Sequence, residues 1–174
     1  MSTHREYPDT DAGPFPEPPA SFKDRRDRTI TIEVADETHL APLVSMYAGF
    51  DPAQRAQGIP PSDPDRIDPW VATILGEGHH VVARHDADCV GHAMLVPDGD
   101  GAFELAIFVH QDYQGAGIGR RLLRHLLGTG AAAGADRIWL TVERWNAPAI
   151  GLYRSVGFET VRADRFDIEM ALAL

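Results

Sequence analysis

Alternating apolar and polar positions predict most of the strands of this 174-residue chain. Residues 29–35, TITIEVA, alternate as the residues of a half-buried strand do. Residues 79–85 and 89–96 are apolar runs separated by a short polar segment, which predicts an antiparallel hairpin. The other runs that complete a set of seven predicted strands are residues 102–109, residues 137–143 and the two halves of residues 158–174.

Helical spacing of apolar residues and capping signals appear between these strands. The predicted helices are residues 36–50 with Asp36 as N-cap, residues 68–76 with Asp68 as N-cap and Pro69 at the first helical position, residues 118–135, and residues 146–157 between Asn146 and Gly157. The resulting order, βααβββαβαββ, predicts a mixed α/β fold with a βαβ unit in its second half.

Proline-rich segments mark the irregular parts of the chain. Residues 1–28 contain five prolines and no periodicity, which predicts a flexible leader before a single domain at residues 29–174. Residues 51–66 predict a loop. Two interpretations of this loop remain open, because it either covers the substrate side or is only a solvated connection.

Charge and composition exclude several classes of function. A net charge of −10 argues against nucleic acid as a partner and favours cationic partners. No apolar run is long enough for a membrane span, and no signal peptide is visible at the N-terminus. The single cysteine, Cys89, excludes an internal disulfide. These features predict a soluble protein of the cytoplasm with no membrane partner.

Residues 114–119, the glycine loop, carry the strongest chemical signal. Glycines at positions 115, 117 and 119 stand between a strand and a helix, where backbone N–H groups form a concavity suited to phosphate. The spacing fits neither a Rossmann fingerprint nor a P-loop. Arg120, Arg121 and Arg124 oppose the dipole of the following helix, and a bound polyanion would relieve that repulsion. The alternative is a solvated, arginine-rich helix face.

Two motifs resemble those of the GCN5-related N-acetyltransferase (GNAT) superfamily, over about residues 29–173. The first is Q-x-x-G-x-G at Gln114, Gly117 and Gly119, after the strand ELAIFV. The second is N-x-P-A-x-x-L-Y-x-x-x-G-F from Asn146 to Phe158. The resemblance implies a mixed, mostly antiparallel central sheet with flanking helices, and binding of acetyl-coenzyme A (acetyl-CoA) as acyl donor. The residues that it implies for cofactor binding are Ile107, Phe108, Val109, Gln114, Gly115, Ala116, Gly117, Ile118, Gly119, Arg120, Asn146 and Tyr153.

Acetyl transfer to an amine needs a general base, because a lysine-type amine is mostly protonated at neutral pH. Glu104 lies in an apolar strand, where burial would raise its pKa. Its spacing to Val109 also resembles that of bacterial protein-lysine acetyltransferases of the superfamily. The alternative is a structural carboxylate paired with an arginine. Ribosomal-protein N-terminal acetyltransferases instead carry a glutamate in the next strand, where this chain has Thr141.

Tyr153 is the second predicted catalytic residue, as the acid that protonates the departing thiolate. The alternative is a core aromatic that packs against Phe158. The strand-end N–H of Val109 is the predicted donor to the oxyanion. His92 and His110 are candidates for the lining of the site, although structural roles suit them better, and no spacing predicts a metal site. Cys89 is predicted to be a buried structural thiol.

The sequence therefore predicts an N-acetyltransferase that transfers an acetyl group from acetyl-CoA to a primary amine, of a small molecule or a protein lysine, directly within a ternary complex. A catalytically silent acyl-CoA sensor on the same fold is the alternative. Dimerisation is common among proteins with these motifs, so a homodimer is compatible with this chain.

Overall fold

One eight-stranded sheet organises the part of the chain that the computed structural model describes, residues 4–55 and 59–174. Residues 1–3 of the predicted leader and 56–58 of the predicted loop lie outside the described residues. The strands are β1 (Ala20–Lys23), β2 (Thr29–Val34), β3 (His79–His85), β4 (Asp88–Pro97), β5 (Phe103–Val109), β6 (Arg137–Glu143), β7 (Glu159–Ala163) and β8 (Asp167–Ala173).

The strands lie in the order β1-β2-β3-β4-β5-β6-β8-β7. All neighbouring strands are antiparallel except β5 and β6, which are parallel. The predicted mixed, mostly antiparallel sheet with flanking helices is therefore confirmed, including its βαβ unit. One strand, β1, is absent from the predicted element order.

In residues 4–55 and 59–174, four α-helices flank the sheet: α1 (Leu40–Ala48), α2 (Pro64–Leu75), α3 (Ile118–Ala132) and α4 (Ala147–Val156). Single 3-10 turns occupy Glu37–His39, Pro52–Gln54 and Gln111–Tyr113. No helix among the described residues is both long and apolar enough to cross a membrane.

The predicted start of α2 at Asp68 is wrong. The helix begins one and a half turns earlier, where the side chain of Asp63 accepts a hydrogen bond from the backbone N–H of Asp65 at 3.0 Å. Pro64 then occupies the first helical turn, and Pro69 lies inside the helix. The same Asp-Pro signal occurs twice in this segment, and the first copy is the one that caps the helix.

Two apolar clusters cover the two faces of the sheet. The face covered by α3 and α4 contains the apolar side of α3, where Leu122, Leu123 and Leu126 are fully buried. The other face is covered by α1 and α2, where Leu43 and Val71 are fully buried. The sheet is therefore buried from both sides, which leaves its strand ends as the place for a site.

The segment before β2 packs against the domain. Strand β1 pairs with β2, and the backbone N–H of Ala12 donates to the carbonyl of Ala173 at 2.8 Å. A side chain at Gly128 would lie 2.0 Å from the carbonyl oxygen of Pro16, so α3 needs glycine where this segment crosses it. The sequence did not predict β1, because the strand has only four residues and directly follows Pro18 and Pro19 in a segment without periodicity.

The predicted boundary between a flexible leader and the domain can be tested by deleting residues 1–24. We expect the melting temperature to fall by about 4–8 °C, which corresponds to about 2 kcal/mol for a domain of this size. The physical reason is the loss of the β1–β2 pairing and of the backbone bond to Ala173. Differential scanning calorimetry provides the measurement. An unchanged melting temperature would show that these residues pack on the domain without stabilising it.

Candidate active site

The site begins where β5 and β6 separate. Their parallel pairing covers only Phe103 with Ile138 and Glu104 with Trp139. On its other side, β5 remains paired with β4 as far as Val109. The edge of β5 beyond Glu104 therefore faces a gap in the sheet, which opens into a cleft of about 600 Å³.

Most of the predicted site residues line this single cleft. Ala116 and Arg120 do not, because Ala116 is a buried residue of the glycine loop and Arg120 is exposed on the first turn of α3. The predicted residues that do line it are Glu104, Ile107, Phe108, Val109, Gln114, Gly115, Gly117, Ile118, Gly119, Asn146 and Tyr153.

The glycine loop presents the N-terminus of α3 to the cleft. Gly117 is the N-cap residue, with φ of +86°, and it has no side chain with which to cap the helix. Gly115 also has a positive φ, of +70°. Both angles favour glycine. The first-turn N–H groups of α3 lack intrahelical partners, so they are available to an acceptor in the cleft.

The N–H of Val109 is directed towards the gap between β5 and β6. The next N–H along the chain, that of His110, donates to the carbonyl of Val90 on β4 at 2.9 Å. Successive N–H groups of a strand point to opposite edges, so that of Val109 points away from β4. The side-chain amide of Gln114 donates to the carbonyl of Val109 at 3.0 Å and thereby ties the glycine loop to the end of the strand.

Glu104 stands at the point where the two strands separate. Its side chain lines the cleft and remains in contact with solvent. Partial burial against the apolar walls raises the pKa of Glu104 above its usual value. The Arg5 guanidinium opposes this shift, whereas the carboxylates of Asp98 and Glu169 add to it. The direction of the shift agrees with the sequence-based prediction for a general base.

An arginine from the predicted leader forms part of this environment. The guanidinium of Arg5 donates to Glu169 at 2.7 Å and lies 3.6 Å above the ring of Trp139. It also lies 3.6 Å from the carboxylate of Asp98, which accepts from the indole N–H of Trp139 at 3.0 Å. Local sequence patterns do not predict this cluster, because Arg5 and Glu169 are at opposite ends of the chain.

Tyr153 is in the core and at the cleft at the same time. Its ring packs edge to face on that of Phe158, with centroids 5.8 Å apart, and its side chain lines the cleft. Burial raises the pKa of Tyr153 to about 12. The hydroxyl therefore keeps its proton at neutral pH and can act as a donor.

A chain of hydrogen bonds links α1 to the sheet behind the cleft. The carbonyl of Glu77 can only accept, so Nε2 of His80 donates to it at 2.6 Å. Nδ1 of His80 then accepts from Nε2 of His92 at 2.9 Å, and Nδ1 of His92 accepts from the Tyr47 hydroxyl at 2.6 Å. Burial lowers the pKa of His92 to about 3, so both histidines are neutral structural groups.

His92 therefore does not line the cleft, and neither does His110, whose Nδ1 accepts from the backbone N–H of Asp112 at 3.2 Å. Cys89 is a buried free thiol, as predicted, and burial raises its pKa to about 12. Among the described residues no group of three or more potential metal ligands is assembled.

One wall of the cleft is aromatic and apolar. Tyr47 holds the rings of Phe50, Trp70 and Phe108 around it, with centroid distances of 5.5, 5.0 and 5.7 Å. Gln54 of the predicted loop 51–66 also lines the cleft, and it accepts from the side-chain amide of Gln114 at 2.7 Å. The described part of this loop therefore covers the cleft rather than serving only as a connection.

Comparison with known proteins defines the class. The acetyltransferase (GNAT) family matches residues 43–158, so the chain belongs to this family. It is 38% identical over 80 residues to an uncharacterized N-acetyltransferase of Mycobacterium tuberculosis, a match that covers 45% of this chain and 51% of the relative. It is 39% identical over 104 residues to the N-alpha-acetyltransferase RimI of the same organism, covering 54% and 64%. The chain thus spans about half the length of the relatives that it matches.

Solved structures show the same fold. The GNAT domain of the S. lividans PAT protein covers 90% of this chain and 97% of its own, with a TM-score of 0.76 and 16% identity. YncA, an acetyltransferase from Salmonella typhimurium solved with acetyl-CoA, covers 83% and 94%, with a TM-score of 0.67 and 26% identity. The cleft described above lies in the fold that these proteins share.

The charges around Glu104 lead to a titration prediction. Arg5→Gln should raise the pKa of Glu104, because it removes a cation that stabilises the carboxylate. Glu169→Gln should lower it, because it removes a neighbouring negative charge. Carbon-13 NMR of the Glu104 carboxyl through a pH titration gives both values. Shifts of the same sign in the two variants would contradict the electrostatic account.

Proposed function

We propose that the protein is an acetyl-CoA-dependent N-acetyltransferase that acetylates a primary amine by direct transfer within a ternary complex. One observation carries the proposal. The separation of β5 from β6 brings a carboxylate of raised pKa, a free strand edge and the N-terminus of α3 into one cleft. Membership of the GNAT family and the relatives' names support the same chemistry.

The residues of the cleft fit acetyl-CoA as the donor. The N–H groups of the glycine loop and first helical turn suit its pyrophosphate, and the free edge of β5 at residues 107–109 suits its amide-containing arm. A side chain at Gly119 would meet Leu152 and Val109 at ordinary distances of 3.7 and 3.8 Å. Packing alone therefore does not require glycine there, whereas close approach of a ligand does. Ala116 contributes its backbone to the loop, Arg120 contributes charge, and Asn146 contacts the arm.

Glu104 acts as the general base in this proposal. Bound acetyl-CoA supplies an activated acyl group as a thioester. Glu104 accepts the proton of the attacking amine, directly or through one water, because it stands beside the free edge of β5. A raised pKa brings the carboxylate closer to the ideal for proton transfer near neutral pH. The N–H of Val109 donates to the carbonyl oxygen as negative charge develops on it.

Tyr153 is the proposed acid. As the new C–N bond forms and the C–S bond breaks, the departing sulfur takes a proton, and the Tyr153 hydroxyl holds one at neutral pH. Asn146 caps α4 by accepting from the N–H of Ala149 at 3.3 Å, and so fixes the helix that carries Tyr153.

In this proposal the acceptor enters along the wall that contains Phe50 and Trp70. Relatives of this chain include the ribosomal protein bS18-alanine N-acetyltransferase of Escherichia coli, 44% identical over 62 residues, so a protein amine is among the acceptors to test. Thr141 lines the cleft where such enzymes are expected to carry a glutamate. This difference favours a small-molecule amine or a protein lysine over an N-terminal amine.

Glu104→Gln tests the proposal directly. We expect it to preserve acetyl-CoA affinity by calorimetry and to lower turnover by about 10²–10⁴-fold, the usual contribution of a general base. The rate of the native enzyme should fall at low pH as Glu104 is protonated, and this acid limb should be absent from the variant. Thiol release with a panel of amines, including peptides with lysine or free N-termini, provides the assay.

Glu159→Gln is the matched control, because Glu159 is an exposed carboxylate on β7. It should leave both turnover and affinity unchanged. Near-normal turnover with an unaltered pH profile in Glu104→Gln would show that the Glu104 carboxylate is structural. Tight acetyl-CoA binding by the native protein without turnover of any amine would favour the silent sensor instead.

A further inference from the structure

Residues 24–28, the N-terminal turn, lie directly on the glycine loop. The backbone N–H of Arg25 donates to the carbonyl of Ala116 at 3.1 Å. The guanidinium of Arg28 donates to the carbonyl of Asp112 at 3.1 Å. Both acceptors belong to the connection between β5 and α3. The N-terminal turn therefore forms an outer wall of the proposed phosphate site.

Asp24 fixes the shape of this turn. Its side chain is fully buried and accepts from the backbone N–H groups of Arg26 and Arg28, each at 2.9 Å. It also accepts from Nε of Arg28 at 2.7 Å. The Arg28 guanidinium lies 4.1 Å from the centre of the Tyr113 ring. The charge of Arg28 is thus paired and its side chain is held in place.

Arg25 is placed differently from Arg28. Its side chain is exposed, and its hydrogen bond within the described part of the chain is a long one, from Nη1 to the carbonyl of Gly115 at 3.4 Å. Its Nε lies 3.9 Å from the position that a Cβ of Gly117 would occupy. The guanidinium therefore stands beside the N-cap of α3 with most of its donors available to a ligand.

Positive charge is concentrated around this point of an acidic protein. The chain has a net charge of −10, yet arginines crowd the N-terminal turn and the first turns of α3. Arg121 of α3 lies 4.4 Å from the centre of the ring of Phe22 on β1, which joins the two groups. Like charges at this density repel, and a bound polyanion would relieve the repulsion. The charges that this argument counts are those of Arg25, Arg120, Arg121 and Arg124, because the charge of Arg28 is paired with Asp24 and the structure gives the Arg26 side chain no contact among the described residues.

We infer that Arg25 is a phosphate-binding residue of the donor site, and that its guanidinium contacts a phosphate group of the nucleotide half of acetyl-CoA. The inference rests on the proposed function and extends it. Arg25 lies outside residues 43–158, the part of the chain that matches the family. The N-terminal segment of this chain thus supplies a ligand contact in addition to the backbone of the glycine loop.

The test compares Arg25→Ala with Arg26→Ala by isothermal titration calorimetry. Arg26 is a matched control, because it is the adjacent exposed arginine and only its backbone N–H takes part in the turn. We expect Arg25→Ala to weaken acetyl-CoA binding by about 10- to 100-fold, as the loss of a charge-assisted hydrogen bond does. Arg26→Ala should weaken it by no more than about twofold, since an exposed charge without a contact contributes little.

A second titration, with coenzyme A that lacks the 3′-phosphate, shows which phosphate is bound. An Arg25→Ala defect that disappears with this ligand assigns Arg25 to the 3′-phosphate, and a defect that persists assigns it to the pyrophosphate. Arg25→Lys should restore part of the affinity, because it keeps the charge without the planar fork. Melting curves confirm that the variants fold, and the backbone bond to Ala116 does not depend on the side chain.

If Arg25→Ala and Arg26→Ala both bind acetyl-CoA with the affinity of the native protein, the inference is wrong. The proposed function would then remain intact. Failure of the native protein to bind acetyl-CoA at all would overturn the proposed function, and this inference with it.

Discussion

The site exists because the hydrogen-bonded pairing between β5 and β6 stops well before the end of β5. Two neighbouring strands that stayed paired to their ends would satisfy each other's backbone groups and leave no opening. Here the pairing stops after Glu104 and Trp139, while β4 continues to hold β5 as far as Val109. The free edge is therefore rigid as well as accessible. A ligand with its own amide groups can take the place of the missing strand.

Two features fix this opening from either side. In front of it, Gln114 ties the glycine loop to the carbonyl of Val109, so the N-terminus of α3 and the end of β5 keep one geometry. Behind it, the neutral chain of Tyr47, His92 and His80 binds α1 to β3 and β4 and holds the aromatic wall in position. Because every donor in that chain has an acceptor, the buried polar groups carry no unpaired penalty.

The segment before β2, described from residue 4 to residue 28, gives the two ends of the cleft different electrostatic surroundings. Arg5 sits among Glu169, Asp98 and Trp139, where it moderates the negative charge around Glu104. The N-terminal turn, in contrast, adds positive charge to the glycine loop. One segment thus contributes to the surroundings of both the proposed base and the proposed phosphate site.

Signals local in sequence predict much of the fold and of the candidate site. The period-two strands, the glycine loop and the capping residue Asn146 all depend on neighbours within a few positions, and the structure has them as predicted. β1 and the Arg5 cluster depend on contacts across most of the chain, which local patterns do not contain. The pairing of His80 with His92 could have been inferred from the hairpin, because register places both on one face.

The central claim is that acetyl-CoA occupies the gap between β5 and β6 against the N-terminus of α3. Amide hydrogen exchange, measured residue by residue with and without acetyl-CoA, tests it most directly. We predict slower exchange at Val109 and at the amides of residues 117–120 on addition of acetyl-CoA, with no change along β2. Unchanged exchange rates at these amides in the presence of saturating acetyl-CoA would contradict the claim.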